Sequence, residues 1–187
     1  MEKRWVIKDA DEDKVNSLQQ DLKVHPVVCK LLVQRGIYTY EAARKFFRPV
    51  LTDLYDPFLM KDMQKAIDRI NTAIANDERI LIYGDYDVDG TTSVALAYSF
   101  FYSIYKNIDY YIPDRYLEGY GISTKGIDHA KQTECSLVIA LDCGIKAVDK
   151  IAYANTLGVD FIICDHHIPG DEVPAAFAVL KKKKKDC

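Results

Sequence analysis

Arg79-Ile80-Leu81-Ile82-Tyr83-Gly84-Asp85-Tyr86-Asp87-Val88-Asp89-Gly90-Thr91 is the stretch on which the fold turns. Its first half, Ile80–Tyr83, is a short apolar run halted by Gly84, which is how a buried strand reads, and aspartates then recur at alternate positions. Downstream, Thr91–Tyr105 reads as a helix, Asp109–Ile112 as a second strand, Ser136–Leu141 as a third and Val159–Cys164 as a fourth. A helix of roughly Ile145–Leu157 separates the last two strands, with Gly158 as its C-terminal stop. Continuous apolar strands alternating with helices imply a parallel sheet covered on both faces. The expected fold is α/β, a three-layer doubly wound and mostly parallel sheet over 77–187.

Upstream of that stretch the texture is helical. Pro26 suits the first turn of a helix running to about Arg35, with Gly36 as its stop. Thr39 is placed to cap a helix over Tyr40–Phe47, which Pro49 closes. Met63, Ala66, Ile67, Ile70, Ala73 and Ile74 then recur at helical spacing and form an apolar stripe. Residues 1–76 are therefore expected to form a helical N-terminal extension.

With 187 residues the chain suits one ordinary domain plus such an extension. Its net charge of −3 argues mildly against a nucleic-acid-binding surface, although a carboxylate-rich metal site would itself add negative charge. The 5 cysteines are odd in number, scattered, and form no Cys-x-x-Cys pair, which fits a reduced cytoplasmic protein without a zinc framework. No apolar run approaches the roughly 20 residues of a membrane helix, and Met1–Trp5 opens no secretory signal.

The chemistry concentrates at strand ends. Asp85-Tyr86-Asp87-Val88-Asp89-Gly90 follows the first strand, Asp142-Cys143-Gly144 the third, and Asp165-His166-His167 the fourth. Ligands of open α/β sheets bind outside the carboxyl ends of the strands. A single aspartate in such a place is more often a turn residue or a cap, and a His-His pair more often a surface or satisfied core pair. Their joint occurrence at the same end of successive strands favours a site. Close carboxylates repel and call for a counter-ion. Hard oxygens with one or two imidazoles suit Mg²⁺ or Mn²⁺, the histidine favouring Mn²⁺, whereas zinc would recruit thiolates or more histidines. Two such ions about 4 Å apart can activate water for in-line attack at phosphorus, so phosphoester hydrolysis is the expected chemistry. Asp85–Gly90 also resembles the opening of an EF-hand loop, but the twelfth-position glutamate and the entering helix are missing.

Taken in order, these segments resemble the motifs of the DHH phosphoesterases: Gly84–Thr91 the first, Asp142-Cys143-Gly144 the second, Asp165-His166-His167 the third. Within that superfamily three features are similar to the single-strand-specific exonuclease branch, RecJ. They are the Gly-Asp-Tyr-Asp form of the first motif, Pro113-Asp114-Arg115 running into Glu118-Gly119-Tyr120-Gly121, and the lead-in with Arg35-Gly36-Ile37 and Asp56-Pro57. The resemblance covers nearly the whole chain. It implies a two-metal site for Mn²⁺ or Mg²⁺ with Asp85, Asp87, Asp142 and His166 as ligands, Asp142 bridging the ions. By the same resemblance His167 binds or polarises the scissile phosphate, while Asp89 shapes the loop and Asp165 orients the adjacent histidine. Arg115 is a candidate for a DNA phosphate, the alternative being an ion pair with Glu118 or Asp114. Tyr120 is a candidate for stacking on a base, the alternative being a core tyrosine.

The implied activity is 5′→3′ hydrolysis of single-stranded DNA in recombination and repair, with other repair proteins as partners and no membrane association. Rival readings are a DHH phosphodiesterase for short oligonucleotides or cyclic dinucleotides, and a non-catalytic DHH-like binding module. A pyrophosphatase would carry histidine where Leu81 stands. A haloacid-dehalogenase-type phosphatase with Asp87 as nucleophile leaves Asp165-His166-His167 unexplained. The family's site is completed by a carboxylate further along the chain, and its DNA grip by C-terminal domains, while Lys181–Lys185 replaces the family's Asn-Pro and reads as a solvated run. The 187-residue chain alone is therefore expected to bind metal weakly and to show little or no nuclease activity. Robust exonuclease turnover by that chain in an oligonucleotide assay would overturn this.

Overall fold

The computed structural model describes residues 4–180, so the lysine run at 181–185 lies outside the described residues. Two units are distinguished, Met1–Tyr55 and Asp56–Cys187. The first holds α1 (Glu12–Leu22), α2 (Pro26–Val33) and α3 (Tyr40–Phe47) around Val15, Leu18, Cys29, Leu32 and Ala43. Its caps follow from the sequence: the Thr39 hydroxyl accepts the Ala42 N–H, and the Asp11 carboxylate accepts from Asp13 and Lys14. Sequence analysis marks no helix at α1, because only Val15 and Leu18 of that segment are buried and the apolar signal is thin.

In the second unit come α4 (Met63–Ala75), β1 (Arg79–Gly84), α5 (Val88–Ile104), β2 (Ile108–Tyr111), α6 (Thr124–Gln132), β3 (Cys135–Leu141), α7 (Val148–Thr156), β4 (Asp160–Cys164) and β5 (Ala178–Leu180). All strand pairs are parallel, in the order β2-β1-β3-β4-β5. Side chains alternate between the faces. Leu81, Tyr83, Val138, Ala140, Phe161 and Ile163 meet Ile127 of α6 and Ile151 of α7. On the other face Ile80, Ile82, Leu137, Ile139 and Ile162 meet Ala66 and Ala73 of α4 and Val94 of α5. The result is the expected three-layer, doubly wound sheet.

The extension expected over 1–76 is not one body. Helix α4 belongs with the sheet, because its small-residue face covers the strands and Arg69 ties it to two strand starts. The Arg69 Nε donates to Asp160 at 2.7 Å and its Nη2 to Glu78 at 2.7 Å, while the Ser136 hydroxyl also donates to Glu78. Helix α5 starts at Val88, not Thr91, since Asp87 is its N-cap and accepts the Gly90 N–H at 2.9 Å. Neither α6 nor the three-residue β5 carries a strong apolar pattern, and both escape the sequence reading. Among the described residues no helix is long and apolar enough to cross a membrane.

Burial opposes ionisation of Glu78, but the Ser136 hydroxyl and the Arg69 guanidinium outweigh it and hold its carboxyl below the ordinary 4.5. A carboxylate depressed in the folded state contributes stability that is complete above its unfolded pKa and is lost as pH falls through the folded one. Urea titrations across the acid range should therefore show wild-type stability declining below about pH 4.5, and Glu78→Gln should have lower neutral-pH stability with a shallower acid decline. Parallel acid limbs for the two proteins would remove Glu78 from this role.

Candidate metal centre

Register brings the expected residues into line. Gly84 of β1 pairs with Leu141 of β3, which pairs with Cys164 of β4, so Asp85, Asp142 and Asp165 are the next residues on three adjacent strands. From β1 the chain passes through α5 to β2 on one side, then through α6 to β3 on the other side of β1. The carboxyl ends of β1 and β3 thus flank the switch point where such sheets bind ligands.

Close backbone approach shapes the first loop. A Cβ on Gly90 would lie 2.5 Å from the Asp85 carbonyl oxygen and 2.7 Å from its nitrogen, so only glycine lets α5 begin against the β1 end. After β3, Asp142 has φ 61° and Gly144 φ 108°, a sharp turn that aspartate and glycine tolerate. That turn delivers the Ile145 N–H to the Asp165 carboxylate at 2.9 Å. The other Asp165 oxygen, Oδ1, accepts the His167 N–H at 2.9 Å and lies 2.8 Å from His167 Nδ1.

The electrostatics are unfavourable without a cation. Asp85 is fully buried, and its Oδ2 has no hydrogen-bond partner. Burial raises the pKa of Asp85, the Tyr86 N–H opposes this, and the Asp87 charge adds to it. For Asp142 burial again raises the pKa and the Asp87 charge adds, against the opposing influence of His166 and His167. Asp165 is the opposite case: burial is outweighed by the backbone N–H groups of His167 and Ile145, and its carboxyl is held low. The buried thiol of Cys143 is pushed well up, chiefly by burial and then by the charges of Asp85 and Asp165, and that of Cys164 rises to about 12 by burial.

Ligand atoms of Asp142, His166 and His167 lie within 4.8 Å of one another, and His166 Nε2 is 2.9 Å from Asp142 Oδ1. Asp85 and Asp87 stand on the neighbouring β1–α5 loop outside that set, yet close enough for Asp87 to act on Asp85 and Asp142. A partnerless buried carboxylate oxygen, two carboxyls with raised pKa values, and adjacent imidazoles fit a hard divalent cation. Asp89 is exposed in the first turn of α5. Arg115 forms neither expected ion pair: Asp114 accepts from Tyr116 and Leu117, Glu118 from Tyr111 and Ser123, and the guanidinium lies 5.2 Å from the Tyr86 ring centre. Tyr120 is no core residue, being 56% exposed, with its hydroxyl 3.2 Å from His167 Nε2.

Sequence reasoning passed over Tyr83. Its buried hydroxyl donates to the Gly121 carbonyl and accepts the Ser123 N–H, both at 3.0 Å, which fixes the loop that carries Tyr120. A tyrosine inside an otherwise aliphatic strand is the available signal, since a buried phenol needs partners. Lys146 and Lys150, beside the same site, were read only as part of a helix.

Residues 79–187 match the model of the DHH family, N-terminal domain. The chain is 45% identical over 184 residues to the single-stranded-DNA-specific exonuclease RecJ of Bacillus subtilis, covering 98% of this chain and 23% of that protein. It is 30% identical over 189 residues to the enzyme of the same name from Escherichia coli, covering 100% of this chain and 32% of that protein. The chain thus spans about a quarter to a third of the length of these relatives. A crystal structure of exonuclease RecJ bound to manganese superposes with a TM-score of 0.62 at 27% identity, over 68% of this chain and 33% of that one.

A carboxyl whose pKa is raised on folding costs stability once pH exceeds its ordinary value. Asp85→Asn should therefore raise the melting temperature of the metal-free chain by about 2–4 °C per kcal/mol recovered, while abolishing any Mn²⁺-dependent rise in melting temperature. Melting curves with chelator and with Mn²⁺ measure both; a Mn²⁺ response as large as wild type would exclude Asp85 from the cation site.

Proposed function

Because the chain belongs to the DHH family, we propose that it is the metal-binding core of a single-stranded-DNA-specific exonuclease that releases nucleotides 5′→3′. The observation that carries this reading is the alignment of Asp85, Asp142 and Asp165-His166-His167 on three adjacent strand ends around an unpaired buried carboxylate oxygen. The relatives named as RecJ exonucleases and the manganese-bound neighbour support it. An oligonucleotide or cyclic-dinucleotide phosphodiesterase has no comparable support.

In this reading Asp85, Asp87, Asp142 and His166 hold Mn²⁺ or Mg²⁺. The bound ions supply Lewis acidity at the phosphoryl oxygens and lower the pKa of water. The protein's own contribution is orientation. Asp165 holds Nδ1 of His167, which orients the ring so that Nε2, beside the Tyr120 hydroxyl, faces the position of a phosphoryl oxygen. Tyr120 meets that ring edge to face and offers a face to a base, and Arg115, its guanidinium 5.2 Å from the Tyr86 ring centre, offers its fork to a backbone phosphate. Asp89 shapes the loop at the start of α5. The partners are single-stranded DNA and, by the same reading, other repair proteins, in the cytoplasm.

The deciding experiment is hydrolysis of a 5′-labelled single-stranded oligonucleotide by the full-length protein with Mn²⁺. The expected result is release of mononucleotides from the 5′ end, none from duplex DNA, and a loss of at least about a thousandfold, or ~4 kcal/mol, in Asp142→Ala. Turnover confined to very short oligonucleotides would transfer the protein to the small-substrate branch.

A further inference from the structure

Beside the aligned carboxylates lies a cleft of about 270 Å³ that shares Tyr120, Asp165 and His167 with the proposed site and extends past them to residues that reading leaves without a role. It begins at His167 and Asp165 and runs toward the N-terminus of α7. Its inner wall is apolar, formed by buried Ile122 and Ile145 with the exposed Tyr120 ring beside them. Its lining includes two cationic side chains, Lys146 and Lys150. Lys146 is exposed, and Lys150 donates to the Thr124 hydroxyl at 2.6 Å, a tether to the start of α6.

Charge is what makes the lysines informative. Around the candidate metal centre the fixed charges are carboxylates, whereas the same cleft that reaches Asp165 and His167 is also lined by two lysines. Asp165, on the cleft wall, has both oxygens engaged by Ile145, His167 and the His167 backbone, and it forms no ion pair with either lysine. An apolar floor with a cationic edge matches a ligand that is flat and apolar at one end and anionic at the other. The volume lies just below the roughly 300 Å³ at which small-molecule pockets begin, enough for a single nucleotide unit and too small for more.

We propose that this cleft is the subsite for the nucleotide adjoining the scissile phosphate, with sugar and base against Tyr120, Ile122 and Ile145 and the outer phosphate on Lys146 and Lys150. The assignment rests on the exonuclease reading for its place in the reaction, but the ligand chemistry, a nucleoside monophosphate, follows from the cleft itself. No side-chain amide lines the cleft and its one carboxylate is engaged, so the bidentate pairing that distinguishes one base from another is not offered by its side chains. Binding by contact with a ring face is indifferent to base identity.

The test is an NMR titration of the 187-residue chain with dTMP, dAMP and inorganic phosphate, with chelator present so that no metal contributes. Both nucleotides should shift the amides of Ile145–Lys150 with affinities within a few-fold of one another, and more strongly than phosphate alone. Lys146→Ala and Lys150→Ala should each weaken binding of both nucleotides equally and lower the salt slope by about 1. Lys146→Glu, at an exposed position, should abolish binding without unfolding the chain, while Asp142→Ala should leave it intact. Unchanged affinity in the lysine variants, or phosphate binding as well as dTMP, would overturn the proposal. Nucleotide binding at the cleft in a protein without exonuclease activity would sink the exonuclease reading alone; exonuclease activity with unaffected lysine variants would sink the subsite alone.

Discussion

Everything at the candidate centre depends on a buried charge that the protein does not neutralise by itself. Asp85 ends a central strand, wholly inside, with one oxygen unpartnered and another carboxylate near enough to raise its pKa further. Parallel pairing is what makes such an arrangement possible. In a parallel sheet every strand ends on the same side, so in-register neighbours present their following residues side by side. The rigid, doubly covered sheet then keeps carboxylates close that would separate on a looser scaffold. The hydrophobic layers on both faces hold the strands in place against this repulsion.

Positioning of the second layer follows from the same geometry. Asp165 occupies the strand-end position equivalent to Asp85 and Asp142 but is surrounded by N–H donors, so its carboxyl stays low and serves as an acceptor. It joins the turn after β3 to the histidine after β4, which links the cleft wall at Ile145 to the ring at His167. Tyr83 does the equivalent work for the loop carrying Tyr120, from beneath the sheet face. Three aspartates in matching places thus titrate in opposite directions, Asp85 and Asp142 raised and Asp165 lowered, because their neighbours differ.

Most of the sheet was legible because Ile80–Tyr83, Leu137–Leu141 and Phe161–Cys164 are unbroken apolar runs of strand length, as a strand buried on both faces needs. The fifth strand was not, since Ala178–Leu180 is three residues long and gains its identity only by pairing with β4. Helix α4 was visible as a stripe, but its assignment to the sheet came from Arg69 reaching Glu78 and Asp160, a contact no periodicity encodes. For the centre, the residues were legible through their common place after strands. What sequence left open for Arg115 and Tyr120 was geometric: whether a nearby acid would capture the guanidinium, and whether the phenol would be inside. Asp114 and Glu118 are engaged by their own loop, and the Tyr120 ring faces out toward His167.

The thiols of Cys143 and Cys164 sit one residue from Asp142 and Asp165, yet burial and surrounding negative charge keep them protonated. A protonated thiol is a poor ligand for zinc, cadmium or copper and a poor nucleophile toward peroxide. The field that makes the carboxylates receptive to a hard cation therefore disarms the adjacent sulfurs. The burial that raises the Asp85 and Asp142 carboxyls thus also raises the thiols that follow and precede the neighbouring motif aspartates.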